Sequence, residues 1–131
     1  MINQTGYDEY ISAEIWQQFI SAYPNSLRQP INLNKNCKLQ IANYKLNNFA
    51  SDRQYDVIYF DAFAVAYQPE MWDDAAIAHA LQFLKPGGVF VTYAITGNLK
   101  RIIKALGLKV EKAPGAPGKR EMLRATQPIK A

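Results

Sequence analysis

Apolar positions recur at helical spacing in SAEIWQQFISAY, where Ile15, Trp16, Phe19, Ile20 and Tyr23 share one face. Ser12 is placed to cap the start of this helix and Pro24-Asn25 to stop it. The next stretch, INLNKNCKLQIANYKL, alternates imperfectly. Ile31 and Leu33 precede a polar Asn-Lys-Asn turn, and Leu39 and Ile41 follow it, which predicts two short strands. YDVIYF, residues 55–60, is β-branched and aromatic without alternation, the pattern of a strand covered on both faces, so a central place in a sheet is expected. From Pro69, PEMWDDAAIAHALQFL puts proline and acids in a first turn, then a stripe of Ile77, Ala80, Leu81 and Leu84 that KPGG ends. VFVTYAI reads as a second buried strand. NLKRIIKALG reads as a basic helix burying Leu99, Ile102, Ile103 and Leu106, with Gly107 just past its end. LKVEKAP and REMLRAT close the chain as two strands across a Gly/Pro loop.

Strand, helix, strand, helix, strand, strand is the order of an open α/β sheet, mostly parallel, whose last two strands form an antiparallel hairpin. Such sheets bind ligands at the carboxyl ends of their strands. Asp61 ends the best strand, so its chain position puts a carboxylate on that edge; an Asp there also serves to cap a turn or a helix start. A length of 131 residues predicts a single domain over 1–131.

Composition narrows the class. Apolar stretches are broken by Asp61, Lys85 or Gly97 well short of membrane-spanning length, and the N-terminus has no basic region leading into an apolar core. No membrane association and a cytoplasmic location are expected. One cysteine, Cys37, excludes an internal disulfide, and with the single His79 it cannot assemble the usual zinc set, so no metal is expected. Cys37 has no general base nearby in sequence to make it a nucleophile. His79, in a helix beside Ile77 and Ala80, reads as structural.

The charge is unevenly placed. Residues 1–96 carry six Lys/Arg against nine Asp/Glu, and residues 97–131 carry nine against two. A basic block of this kind suits a polyanion such as nucleic acid, or a solvated helix face and tail.

YDVIYFDAFAVAYQPEMW together with LKPGGVFVTYAITGNLKRIIKALGLKVEKAPGAPGKREMLRA resembles the C-terminal part of the bacterial tRNA methyltransferases that modify 5-aminomethyl-2-thiouridine at the wobble position. The likeness runs from about residue 55 to 125, on an acid-Phe-Ala loop after a strand, PEMW, a Pro-Gly-Gly turn and GKREM. It implies a Rossmann-like methyltransferase sheet, S-adenosylmethionine as methyl donor and a tRNA anticodon nucleotide as acceptor. Asp61 is then the acid that orients or deprotonates the aminomethyl nitrogen and borders the donor. Phe63 becomes a candidate for packing the cofactor or a flipped uracil, or for plugging the core. Trp72 either docks its helix or walls the pocket. Lys119 and Arg120 become candidates for gripping RNA phosphates, and Glu121 for the same edge or for pairing with Arg120. Lys100, Arg101 and Lys104 extend a basic track.

The sequence also departs from that pattern. Val65 stands where the family has proline. Rossmann-like methyltransferases hold the donor on a glycine-rich turn after their first strand, and before Gly87 this chain has only Gly6. The resemblance therefore implies a sheet lacking its N-terminal strand or strands, with Asn43, at the end of KLQIANY, near the place of the acid that faces adenine. No signature of a partner oxidase domain is visible. An exposed edge beside the Asp61 strand would be covered by the KLQIANY segment, by another piece of protein or by self-association. Two functions follow: methyl transfer to the aminomethyl nitrogen of 5-aminomethyl-(2-thio)uridine in tRNA, or a truncated, non-catalytic domain binding RNA or a protein without the donor.

Overall fold

The computed structural model describes residues 9, 11–115, 117–118 and 121–129. They form two compact units, Met1–Tyr44 and Lys45–Ala131. In the first, helix α1 (Ala13–Ser26) opens on Ser12, whose hydroxyl accepts from the Ile15 amide at 3.2 Å. Pro24 lies inside the last turn and does not stop the helix. Trp16 is buried, whereas Ile15 is exposed, so the apolar face is rotated from the expected one toward Trp16 and Ala22. Strands β1 (Ile31–Asn34) and β2 (Cys37–Leu39) pair antiparallel across a turn in which the Asn34 side chain accepts from the Asn36 amide at 2.8 Å.

The second unit carries a four-stranded sheet in the order β3-β4-β6-β5, made of β3 (Tyr55–Tyr59), β4 (Leu84–Thr92), β5 (Lys109–Pro114) and β6 (Glu121–Thr126). β3 runs parallel to β4, while β4 with β6 and β5 with β6 are antiparallel, so the C-terminal hairpin folds back with β6 against β4. Helix α2 (Asp74–Leu81) links β3 to β4, and helix α3 (Gly97–Ala105) links β4 to β5.

Local chemistry explains both helices. Asp73 caps α2 by accepting from the Ala76 amide at 2.7 Å. PEM forms a separate 3-10 turn, Pro69–Met71, ahead of it. α2 stops at Leu81, before KPGG, and Leu84 opens β4 instead of ending the helix stripe. Thr96 caps α3 through the Leu99 amide at 3.1 Å. Gly107 ends it with φ at +94°, its amide reaching Lys104 O and the Leu108 amide reaching Ile103 O, a Schellman turn. Leu106, expected in the core, is 44% exposed.

One row of residues, Ile58, Phe90, Ala125 and Val110, crosses all four strands on a single face. That face meets Ile77, Ala80, Leu81, Leu99, Ile102 and Ile103 from the two helices, and Phe60, Trp72, Leu84, Leu108 and Leu123 complete the cluster. The opposite face carries the row Tyr59, Val91, Arg124 and Glu111, where Arg124 pairs with Glu111 at 3.1 Å.

Among the described residues β3 is therefore not central: it is the edge of the sheet, with Tyr55, Val57 and Tyr59 exposed. A non-alternating apolar run specifies two faces that accept apolar neighbours, and says nothing about whether a strand lies beside it. Within the first unit, Lys38 and Leu39 of KLQIANY pair with β1. No helix of the described residues is long and apolar enough to cross a membrane, and among them no group of His, Cys, Asp and Glu could hold a metal ion.

Phe90 has no solvent exposure at the centre of the cluster. Replacing it by alanine is expected to lower the unfolding free energy by about 3–5 kcal/mol in urea titrations, against less than about 1 kcal/mol for Leu106→Ala.

Candidate functional site

Because β3 and β4 are parallel, their carboxyl ends share one edge of the sheet, and the segments leaving them enclose a pocket of about 360 Å³. Val65, Pro69, Trp72 and Asp73 come from the segment after β3, and Thr96, Asn98 and Leu99 from the segment after β4. This is the edge on which open α/β sheets bind ligands.

Asp61 stands two residues past the end of β3, exposed, at the head of the same segment. Among the described residues no hydrogen bond or ion pair ties up its carboxylate. Phe63 is 72% exposed, which overturns the alternative of a core plug. Its backbone is nevertheless held at both ends. The Phe63 amide donates to the Gln68 side chain at 3.0 Å, and the Phe63 carbonyl accepts from the Trp72 indole N–H at 2.7 Å.

Trp72 is 5% exposed and meets Phe60 edge to face with ring centroids 5.0 Å apart. It thus anchors the loop to the core and also lines the pocket, which joins the two roles the sequence left as alternatives.

Three polar side chains in the pocket were not singled out by sequence: Asp73, Thr96 and Asn98. Each has one acceptor already in use. One Asp73 oxygen takes the Ala76 amide, Thr96 Oγ1 takes the Leu99 amide, and Asn98 Oδ1 takes an Arg101 guanidinium N–H at 2.7 Å. Guanidinium only donates, so the Asn98 amide is oriented with its NH₂ group away from Arg101. What remains is one acceptor on Asp73, a hydroxyl proton on Thr96 and amide protons on Asn98. The sequence signal was available, since Asp73 and Thr96 are ordinary helix caps; only their meeting across the pocket was hidden.

The other expected residues are more dispersed. Asn43 is exposed in irregular chain after β2, in the first unit, and the pocket is lined by second-unit residues alone. Glu121 opens β6 and pairs with Lys112 at 3.7 Å, an exposed contact of small energetic weight. Lys119 and Arg120 lie outside the described residues. His79 donates from Nε2 to the Phe49 carbonyl at 2.8 Å and therefore accepts at Nδ1 from Gln82, a tie between helix and loop. Cys37 is exposed at the start of β2.

Residues 10–128 match a family described as S-adenosyl-L-methionine-dependent methyltransferase. Over 69 residues, 53% of this chain, the sequence is 36% identical to the tRNA 5-methylaminomethyl-2-thiouridine biosynthesis bifunctional protein MnmC of Aromatoleum aromaticum. Over 73 residues, 56% of this chain, it is 37% identical to the protein of that name from Pseudomonas fluorescens. Each match spans 11% of the relative's own length. Among solved structures, MnmC2 of Aquifex aeolicus has a TM-score of 0.66 at 17% identity, over 86% of this chain and 38% of that one. DesVI of Streptomyces venezuelae has a TM-score of 0.55 at 14% identity, over 70% of this chain and 66% of that one. These likenesses show the Rossmann-like methyltransferase fold.

Trp72→Phe keeps the ring against Phe60 and deletes the bond to the Phe63 carbonyl. The expected loss is about 1 kcal/mol of stability, together with faster hydrogen exchange at the amides of residues 63–68 than at those of β4.

Proposed function

Because this chain belongs to the S-adenosyl-L-methionine-dependent methyltransferase family, we propose that it forms the acceptor side of a site that methylates the aminomethyl nitrogen of 5-aminomethyl-(2-thio)uridine at the wobble position of tRNA. The observation that carries this reading is the placement of Asp61 at the head of the segment that lines the pocket, on the ligand-binding edge of the sheet.

Among the described residues no strand pairs with the outer side of β3; Gly97 opens α3 at the carboxyl edge, while Gly87 and Gly88 lie within β4, ahead of that edge.

At neutral pH an aminomethyl group is an ammonium ion and has no lone pair to offer. Asp61 receives its proton, leaves the amine neutral and, being exposed, releases the proton to solvent; the restored carboxylate then attracts the charge that returns to nitrogen once a new bond forms. The pocket next to it suits the base. Uracil presents acceptor, donor, acceptor along its pairing edge, and Asn98, Asp73 and Thr96 retain donor, acceptor, donor. Apolar walls from Val65, Pro69 and Leu99 leave room for the flat ring. Outside the pocket, Arg101 is bonded to Asn98, and Lys100 and Lys104 share its helix, which offers a phosphate track leading to the base.

A second reading is favoured by the cations of α3, Lys100, Arg101 and Lys104: a non-catalytic domain that binds RNA or a protein and does not bind S-adenosylmethionine. The two readings separate in titrations of the full chain with anticodon stem-loops carrying or lacking the 5-aminomethyl group. Acceptor binding predicts preference for the modified loop, reduced about tenfold or more by Asp61→Ala. Equal affinity for both loops, unaffected by that change, overturns the acceptor reading and leaves the non-catalytic one.

Asp73→Asn supplies a sharper check of base selection. Asn remains a good helix cap through its oxygen and turns an amide N–H into the pocket. Uridine in the anticodon loop is then expected to lose about 1–3 kcal/mol of binding relative to cytidine at the same position, with the melting temperature of the protein unchanged.

A further inference from the structure

The segment from Asp61 to Gln68, DAFAVAYQ, holds neither proline nor glycine, so its conformation is not set by a residue of special backbone geometry. Its order comes from hydrogen bonds, and they converge on Gln68. The Ala64 carbonyl accepts from the Tyr67 amide at 2.8 Å and from the Gln68 amide at 2.9 Å, closing one turn. The Gln68 side chain reaches back over that turn, and its Oε1 accepts from the Phe63 amide at 3.0 Å. In the other direction the Gln68 carbonyl accepts from the Met71 amide at 3.0 Å, which joins this turn to the one leading into Trp72.

The consequence for Asp61 lies in the torsions that remain. The Phe60 amide donates to the Val91 carbonyl of β4 at 2.9 Å, which holds the peptide plane before Phe60. The Gln68 oxygen holds the plane before Phe63. Phe60, Asp61 and Ala62 lie between these planes, each with two soft dihedrals. A plane has three coordinates of position and three of orientation, so fixing the second plane relative to the first uses all the freedom of three residues. The Asp61 backbone is left with a discrete set of conformations. Without the Gln68 oxygen, the nearest held plane is the one after Phe63, whose carbonyl accepts from the Trp72 indole at 2.7 Å. Phe63 then joins the free stretch, and its two dihedrals become slack shared with Asp61.

We propose that Gln68 is the positioning residue for the Asp61 carboxylate, acting through the Phe63 peptide. This rests on the reading of Asp61 as the group that meets the aminomethyl substituent. The role requires an acceptor at the reach of a glutamine side chain, because an amide N–H is what it holds. Glutamate supplies the same oxygen at the same reach; alanine and methionine do not. The slack released by losing that oxygen is about one residue's backbone entropy, to be lost again whenever a ligand fixes Asp61, and corresponds to roughly tenfold in binding. The cost falls only on ligands that engage Asp61.

Two measurements on the full chain test this, one without ligand and one with it. Backbone nitrogen relaxation is expected to show lower amide order parameters at Asp61 and Ala62 in Gln68→Ala, restored in Gln68→Glu and unchanged in β4 throughout. In titrations with anticodon stem-loops, Gln68→Ala is expected to lower the preference for the 5-aminomethyl loop about tenfold while binding the unmodified loop as wild type does. Gln68→Glu keeps the preference at or above the wild-type level, a rescue that a purely structural role in stability would not confine to the modified loop. If Gln68→Ala does not fold, Gln68→Met takes its place. Order parameters at Asp61 that ignore the loss of the acceptor overturn the proposal, and so does a preference lost equally in Gln68→Glu. A wild-type preference that Gln68→Ala leaves intact overturns this inference alone; a wild-type chain with no preference overturns the acceptor reading and this inference with it.

Discussion

Trp72 holds the segment after β3 to the body of the second unit through two contacts of different kinds. Its ring packs edge-on against Phe60, the last buried residue before Asp61, and its indole N–H closes on the Phe63 carbonyl two residues beyond. Asp61 sits between those two fixed points. An exposed carboxylate on a free loop would sample many positions, at a cost in entropy each time a ligand required one of them. Here the backbone on both sides is tied to a side chain that is itself buried, so the loop is short of freedom even though its tip is in water.

The pocket depends on the same arrangement at one remove. α2 begins where the Trp72 turn ends, with Asp73 as its cap, and α3 begins with Thr96 as its cap after the neighbouring parallel strand. Capping uses one lone pair of each side chain and leaves the rest of its hydrogen-bonding capacity directed at whatever lies between the helices. Two ordinary structural devices thereby become a polar rim, with Asn98 and Arg101 adding a third member and a link to the basic face of α3. Stability and recognition are served by the same atoms.

Among the described residues, the sheet is well covered on its helical face and β3 is paired on one side only. The row Ile58, Phe90, Ala125 and Val110 faces α2 and α3, while Val57 and Tyr59 of the same strand face outward. A strand that is apolar on both faces but flanked on one side only concentrates exposed apolar area in one place. That place adjoins Asp61, so whatever covers the edge also shapes the site.

Much of this was legible in the residues. The caps at Ser12 and the glycine end of α3, the buried stripes of α2 and α3, the β1–β2 turn and the C-terminal hairpin follow from local rules that need no partner. So does the position of Asp61 at a strand end, and the PEMW and GKREM motifs pointed to the family that residues 10–128 match. Sequence by itself could not rank β3 within the sheet, because an apolar run reports how its faces are to be solvated and not which backbone lies alongside. It also could not show that Trp72 serves core and pocket together, or that Asp73, Thr96 and Asn98 converge. Those depend on two parallel strands ending side by side, a relation between segments more than twenty residues apart that only long-range hydrogen bonding and packing decide.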